Sequence, residues 1–329
     1  MKNFFFFSAL YFVVALVLLF ALRDDPAATL FYSFLSTGRP SEVLLHKWTF
    51  VLPALAIGWY VTRKTGFKHL IAPTLYAFFG CLLFAAAFGL VKINIPYFVP
   101  FYADEMLASF DAALHFGHTP WELTHKFSDY IPYRAIEILY FDIWLFPAWF
   151  LPVFMALTDS DKERTNRYLV LFALCWIGLG NVVATMFSSI GPVYYDRLLG
   201  TEQFAGLAVA LEHAGFKGSF FGNIQDHLWA QYAEIGQNFG SGISAFPSIH
   251  VGVATVVAFY LAERSRFLMP VGVIFLAATC FASVYNGWHY AVDGYFSVTA
   301  ITLAWAGLRR WNTRTTTQAV PHTGLAAAS

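Results

Sequence analysis

Two short polar stretches interrupt an otherwise apolar chain, and each contains a histidine. In Tyr285-Asn286-Gly287-Trp288-His289-Tyr290-Ala291-Val292-Asp293, His289 and Asp293 are four residues apart. On a helix that starts near residue 288, this spacing puts both side chains on one side, one turn apart. The carboxylate can then accept a hydrogen bond from one imidazole nitrogen. That bond fixes the tautomer and leaves the other nitrogen as a nucleophile or base. The structural alternative is an interfacial histidine beside a coincidental carboxylate.

The other stretch runs from Ser241 through Gly242-Ile243-Ser244-Ala245-Phe246-Pro247-Ser248-Ile249 to His250. Pro247 suits the first turn of a helix. Ser244 and Ser248 offer hydroxyls beside the unpaired N–H groups of that turn. A helix N-terminus preceded by small residues is an anion site suited to phosphate, and His250 would lie close to anything bound there. A Gly/Ser loop ending in an interfacial histidine is the alternative. One helical hairpin separates the two stretches, so both fall on the same face and two histidines can meet over one phosphate.

The elements that must position these residues are membrane helices. Of 329 residues, 58% are hydrophobic, 19% aromatic and only 12% charged, whereas a soluble domain carries about 25% charged residues. Apolar blocks long enough to cross a bilayer give an all-α, polytopic membrane helical bundle of about eight spans. These lie at 3–22, 46–62, 69–91, 133–157, 168–189, 248–263, 267–286 and 289–308. The first block is too long for a signal-peptide core and lacks a small-x-small cleavage site, so it counts as a span. The formal net charge of zero gives no reason to expect nucleic acid as a partner. Cys81, Cys175 and Cys280 sit in apolar blocks without paired spacing, so neither a disulfide framework nor a zinc site is expected.

Basic residues set the orientation. With Lys2 inside, four clusters fall on the cytoplasmic side: Arg63, Lys64 and Lys68; Lys162, Arg164 and Arg167; Arg264 and Arg266; Arg309, Arg310 and Arg314. This predicts cytoplasmic N and C termini in a cell (inner) membrane. The opposite, outer or periplasmic face receives segments 92–132 and 190–247, which are rich in aromatics, Gly, Pro and His. They are too apolar for linkers and read as short surface helices. No internal repeat is visible. The Thr/Ala-rich tail 313–329 reads as disordered.

The pair of stretches resembles the type 2 phosphatidate phosphatase superfamily, most closely its inositol phosphorylceramide synthase-like branch, whose motifs read F-P-S-x-H and H-Y-x-x-D. The resemblance covers about 133–308, and extends to Asp111, Phe116-Gly117-His118-Thr119-Pro120-Trp121 and Gly191-Pro192-Val193-Tyr194-Tyr195. It implies a core over 69–312 built on six spans, preceded by two additional spans within 1–68. It implies further that His289 attacks phosphorus and becomes a phosphohistidine, that Asp293 orients it, and that His250 protonates the leaving oxygen and then activates the incoming hydroxyl. No metal and no cofactor is required. Water as acceptor makes a phosphatase of polyprenyl or glycerolipid phosphates; a lipid or polyol alcohol makes a phosphotransferase, which the branch favours. The partner implied is a phospholipid or other lipid phosphate, with no obligate protein partner.

The sequence departs from the superfamily in its cations. No K-x6-R-P motif is found: Lys126 and Arg134 are eight apart and no proline follows Arg134. The arginine expected six residues before the nucleophile is Ser283. Developing negative charge on phosphorus needs positive partners, and Arg134, Arg197 and Lys126 are the candidates, each of which also reads as an interfacial anchor. Asp104 and Asp111, seven apart, share a face of an amphipathic helix; a solvated face is the reading the spacing favours, and a face that, with His118, holds a headgroup is the alternative. His115, His118 and His125 do not share a helical face suited to three metal ligands. Trp288 and Tyr290 flank His289 and could wall the site from lipid, or belong to an aromatic belt. Two other classes remain. A non-catalytic lipid-binding or transport protein would show repeats and mid-membrane ionisable residues. A Ser248-based hydrolase would need Ser248 and His250, two apart at a helix start, to face one another.

Overall fold

The computed structural model describes residues 1–30, 68–233 and 242–318. Among the described residues, all regular structure is helical. Five helices are long and apolar enough to cross a membrane: α1 (Lys2–Leu22), α2 (Lys68–Lys92), α4 (Tyr133–Thr158), α5 (Lys162–Met186) and the first part, Ala291–Trp311, of α11 (Ala291–Gln318). The expected spans 248–263 and 267–286 are α9 (Ile249–Arg264) and α10 (Met269–Tyr285), with 16 and 17 residues. At 1.5 Å per residue each is about 25 Å long, shorter than a hydrocarbon core of about 30 Å. The expected span 46–62 lies outside the described residues, as do Arg63 and Lys64. Helix α11 continues through 313–318, into the segment read as a disordered tail.

The two long polar-aromatic segments fold into short helices, as their composition predicts. Between α2 and α4 lies α3 (Asp104–Leu114). Between α5 and α9 lie α6 (Pro192–Leu199), α7 (Ala205–His213) and α8 (Phe220–Ala233). Helix α3 is oriented unexpectedly. Its buried residues are Asp104, Leu107, Ala108 and Asp111, while Met106, Phe110 and Leu114 are exposed. The two carboxylates therefore face the protein, and neither a solvated nor a lipid-facing side contains them.

Close helix crossings rest on small residues, since lipid tails offer no hydrophobic drive between spans. A Cβ on Gly272 would lie 2.7 Å from the Ala258 backbone, fixing α9 against α10. One on Gly180 would meet Phe88 at 2.7 Å and Ile249 at 2.9 Å, so α5 lies close to both α2 and the start of α9. Tyr140, Tyr168, Tyr260 and Met155 are among the largest fully buried side chains.

The two ends of the bundle differ in chemistry. At one end the α4–α5 turn is closed by Asp161, which caps α5 by accepting from the Arg164 amide at 2.9 Å. Arg164 also donates to Asp159 at 2.6 Å, and Arg167 donates to Glu263 at 2.5 Å. Trp305 Nε1 donates to Glu263 at 2.6 Å and Arg264 to the Thr158 carbonyl at 2.8 Å. The basic clusters of two connections are thereby held together. The other end receives the starts of α9 and α11, and with them both histidines.

Candidate active site

His289 sits in the turn between α10 and α11, and the turn is built so that Asp293 serves two purposes. Gly287 takes φ +71°, a left-handed conformation that glycine adopts without steric cost. Tyr290 then directly precedes α11, and Asp293, three residues on, reaches back with Oδ2 to the Tyr290 amide at 3.2 Å. This is half of a capping box. The same Oδ2 lies 3.1 Å from Nδ1 of His289. A proton on Nδ1 is the one this oxygen can accept, and the tautomer that carries it there has the lone pair on Nε2.

Two first-turn amides of α11 go to α3. The Asp111 carboxylate accepts from Val292 at 3.0 Å and from Ala291 at 3.3 Å. Asp104 accepts from the Tyr290 hydroxyl at 3.0 Å and from the Ile190 and Gly191 amides at 2.8 and 2.9 Å. Burial pushes both carboxyls up from the usual carboxylate range, while these donors pull them back down. Segment 189–191 is held on three sides. Ser189 accepts the Ala245 and Phe246 amides, through its carbonyl at 3.0 Å and its hydroxyl at 2.9 Å. Gly191, at φ +90°, passes so close to Trp288 that a Cβ would lie 2.5 Å from the Trp288 carbonyl oxygen. The loops leading to the two histidines are thus bound to one another through 189–191.

His250 lies in the first turn of α9, which follows a cis Phe246–Pro247 peptide. Ser248 is its N-cap and accepts from the Val251 amide at 3.4 Å. Its own amide donates to the Asp293 carbonyl at 3.3 Å, tying the two helix starts together. The His250 ring stacks on Tyr140 at 4.0 Å and on Trp144 at 3.9 Å between centroids. Tyr140 and Trp144 are four residues apart on α4, Tyr140 within its π-helical turns over Ile138–Ile143 and Trp144 directly after them, and Trp144 Nε1 also donates to the His250 carbonyl at 2.9 Å. The centroids of His250 and His289 are 6.2 Å apart, with the ring planes at 60° to one another.

Both rings line a cavity of about 160 Å³ with Ser244, Trp288, Trp144 and Lys92. Of the other sequence candidates, Ser248 spends its side chain on the α9 cap. Arg134 pairs with Glu137. Arg197 lies 3.6 Å from Asp226 and over the Trp229 ring, and Lys126 is exposed at the end of the turn Pro120–His125; none of these three lines the cavity. His118 is exposed. His115 contacts the Asp111 carbonyl at 2.7 Å and the Tyr295 hydroxyl at 3.0 Å, whereas His125 donates to the Tyr285 carbonyl at 2.9 Å. Among the described residues, no group of three His, Cys, Asp or Glu side chains is arranged for a metal ion. Lys92 was missed by sequence reasoning. Its signal was positional: a lone lysine at the end of an apolar helix opposite the basic clusters.

One sequence model of a known family, described as the PAP2 superfamily, matches residues 105–307. No curated protein matches the chain, and no solved structure does. The matched region is more than half of the chain and holds Asp111, His250, His289 and Asp293, while Asp104, α1 and α2 lie outside it. On that match, the chain belongs to the PAP2 superfamily.

Proposed function

We propose that this chain is a metal-independent lipid phosphatase that hydrolyses a polyprenyl or glycerolipid phosphate through a phosphohistidine on His289. The superfamily supports a lipid-phosphatase-type function at a membrane. The observation that carries the finer reading is the pair of imidazoles facing one cavity, one held by a buried carboxylate and the other stacked between Tyr140 and Trp144. Nε2 of His289 attacks phosphorus and the P–O ester bond breaks. The leaving alkoxide takes a proton from His250. His250 then removes a proton from water, whose oxygen attacks the phosphohistidine; the N–P bond breaks, releasing phosphate and neutral His289. Asp293 keeps Nδ1 protonated throughout and balances the charge that the ring gains. The site faces the outer side of a cell membrane with both termini cytoplasmic, on the distribution of Lys and Arg.

A second reading keeps the first half-reaction and replaces water by a lipid or polyol alcohol. It rests on the motifs Phe246-Pro247-Ser248-Ile249-His250 and His289-Tyr290-Ala291-Val292-Asp293, which resemble the inositol phosphorylceramide synthase-like branch.

The test is release of phosphate or headgroup phosphate from a panel of phospholipids and polyprenyl phosphates by the purified chain in detergent. EDTA is present, ceramide, diacylglycerol and inositol are added in turn, and His289→Ala and His250→Ala run in parallel. Turnover that survives EDTA and is abolished by both substitutions is expected, with acceptor dependence separating hydrolysis from transfer. Wild type and variants that behave alike across the panel would overturn the enzymatic reading in favour of lipid binding or transport.

A further inference from the structure

Lys92 is the last residue of α2 and lines the cavity that also receives His250 and His289. Its amine lies 6.0 Å from the centre of the Phe88 ring, and Trp144 and Trp176 line the same space. Among the described residues, no carboxylate comes within ion-pair distance of it. An ammonium among aromatic walls without a counter-charge is costly, and membrane proteins retain such groups where function needs them. A cation–π contact at that distance offsets little of the cost.

We propose that Lys92 is the phosphate-binding cation of this site, holding the substrate's phosphoryl oxygens while His289 and His250 act on phosphorus and ester oxygen. The proposal rests on the phosphate chemistry proposed above for the two histidines. Two observations support it. Lys92 shares one cavity with both imidazoles, whereas Arg134, Arg197 and Lys126 do not line it. And Lys92 lies on a helix outside residues 105–307, so this cation is supplied by a part of the chain that the superfamily match does not include. An ammonium offers three rotatable donors and suits a phosphate whose oxygens move during transfer.

The ligand used as probe is inorganic phosphate, the product of hydrolysis. Its binding to the full-length chain in detergent is measured for wild type, Lys92→Gln, Lys92→Arg and His289→Ala, alongside KM and kcat for the best lipid of the panel. Lys92→Gln is expected to weaken phosphate binding at least tenfold and raise KM, with Lys92→Arg recovering part of both. Lys92→Gln that binds phosphate within twofold of wild type, at unchanged KM, overturns the proposal. A measurement on the unaltered chain guards against a variant that does not fold: saturating phosphate is expected to protect Lys92 from an amine-reactive reagent, read by peptide mass spectrometry, and an unchanged labelling rate overturns the proposal. If His289→Ala still turns over while Lys92→Gln loses phosphate, Lys92 stands as the phosphate ligand and the phosphohistidine reading falls.

Discussion

Asp111 accepts the amide of Val292 at 3.0 Å, so a carboxylate on a surface helix closes the N-terminus of the helix that follows His289. Substituting Asp111→Ala leaves the Ala291 and Val292 amides without their acceptor in a buried setting. The expected loss is about 1–3 kcal/mol for each unsatisfied group, with a fall in turnover because the start of α11 also sets the His289 turn. Thermal unfolding in detergent and turnover of the folded fraction measure the two effects separately. Unchanged values for both would remove α3 from the support of the site.

Asp293→Asn tests the tautomer argument. An amide in that place can still contact the ring, yet it can present its NH2 to Nδ1 and favour the wrong tautomer. In a triad of similar geometry such a change costs on the order of 10⁴ in kcat, and a loss of at least about 10² is expected here at near-normal KM. A rate within a few-fold of wild type would mean that Asp293 serves mainly the helix cap.

Gly191→Ala addresses the segment that binds both loops. At φ +90° the alanine backbone is strained, and its Cβ would lie 2.5 Å from the Trp288 carbonyl oxygen. A destabilisation above about 1 kcal/mol is expected, together with reduced turnover, since relief of the contact must move Trp288 and the adjacent His289. An equally stable, fully active Gly191→Ala chain would show that this loop tolerates displacement.

Stability should fall as the medium is acidified, in part through His125. Burial beneath Trp121 and Tyr285 holds its imidazole below the ordinary histidine range, with the Tyr285 carbonyl opposing. The unfolded chain therefore takes up a proton near its ordinary pKa of about 6.5 while the folded chain does not. Stability contributed by neutral His125 is complete above that value and is lost as pH falls towards the folded-state pKa. Melting temperatures measured from pH 7.5 down to pH 5 should decline less steeply in His125→Gln than in wild type. Parallel curves would assign the acid sensitivity elsewhere.

Arg167→Gln probes the end of the bundle away from the cavity. It leaves Glu263, which also accepts from Trp305 Nε1, without its cation. A loss of about 1–3 kcal/mol is expected, with kcat per folded molecule unchanged, because this network lies at the far ends of α5 and α9. A selective loss of kcat at unaltered melting temperature would contradict that separation.

Several features could be read from the chain before any coordinates. Long apolar blocks require helices, since a backbone in lipid must satisfy its own hydrogen bonds. The four-residue spacing of His289 and Asp293 puts the two within reach, although His289 lies in the turn before α11 and not on the helical face expected; one hairpin between the two polar stretches puts His250 at the same end. The sequence put Pro247 in the first turn of this helix and the Ser248 hydroxyl on phosphate, whereas Ser248 is the N-cap of α9 and Pro247 precedes it.

Contacts between distant segments could not be read in this way. Asp104 and Asp111 looked like a polar face, yet fold inward onto amides that are 86 to 181 residues further along the chain. Their spacing specifies a face of α3 and says nothing of what covers it. Arg134 and Arg197 were plausible phosphate ligands by position, and packing instead set each beside a carboxylate. Lys92 was passed over because α2 reads as an ordinary span, and only the packing of α2 beside α5 and the start of α9 brings its end to the cavity. Local spacing determines which groups share a helix face; which faces meet depends on volume, small residues at crossings and hydrogen bonds closed across the whole bundle, and these exist only in the folded chain.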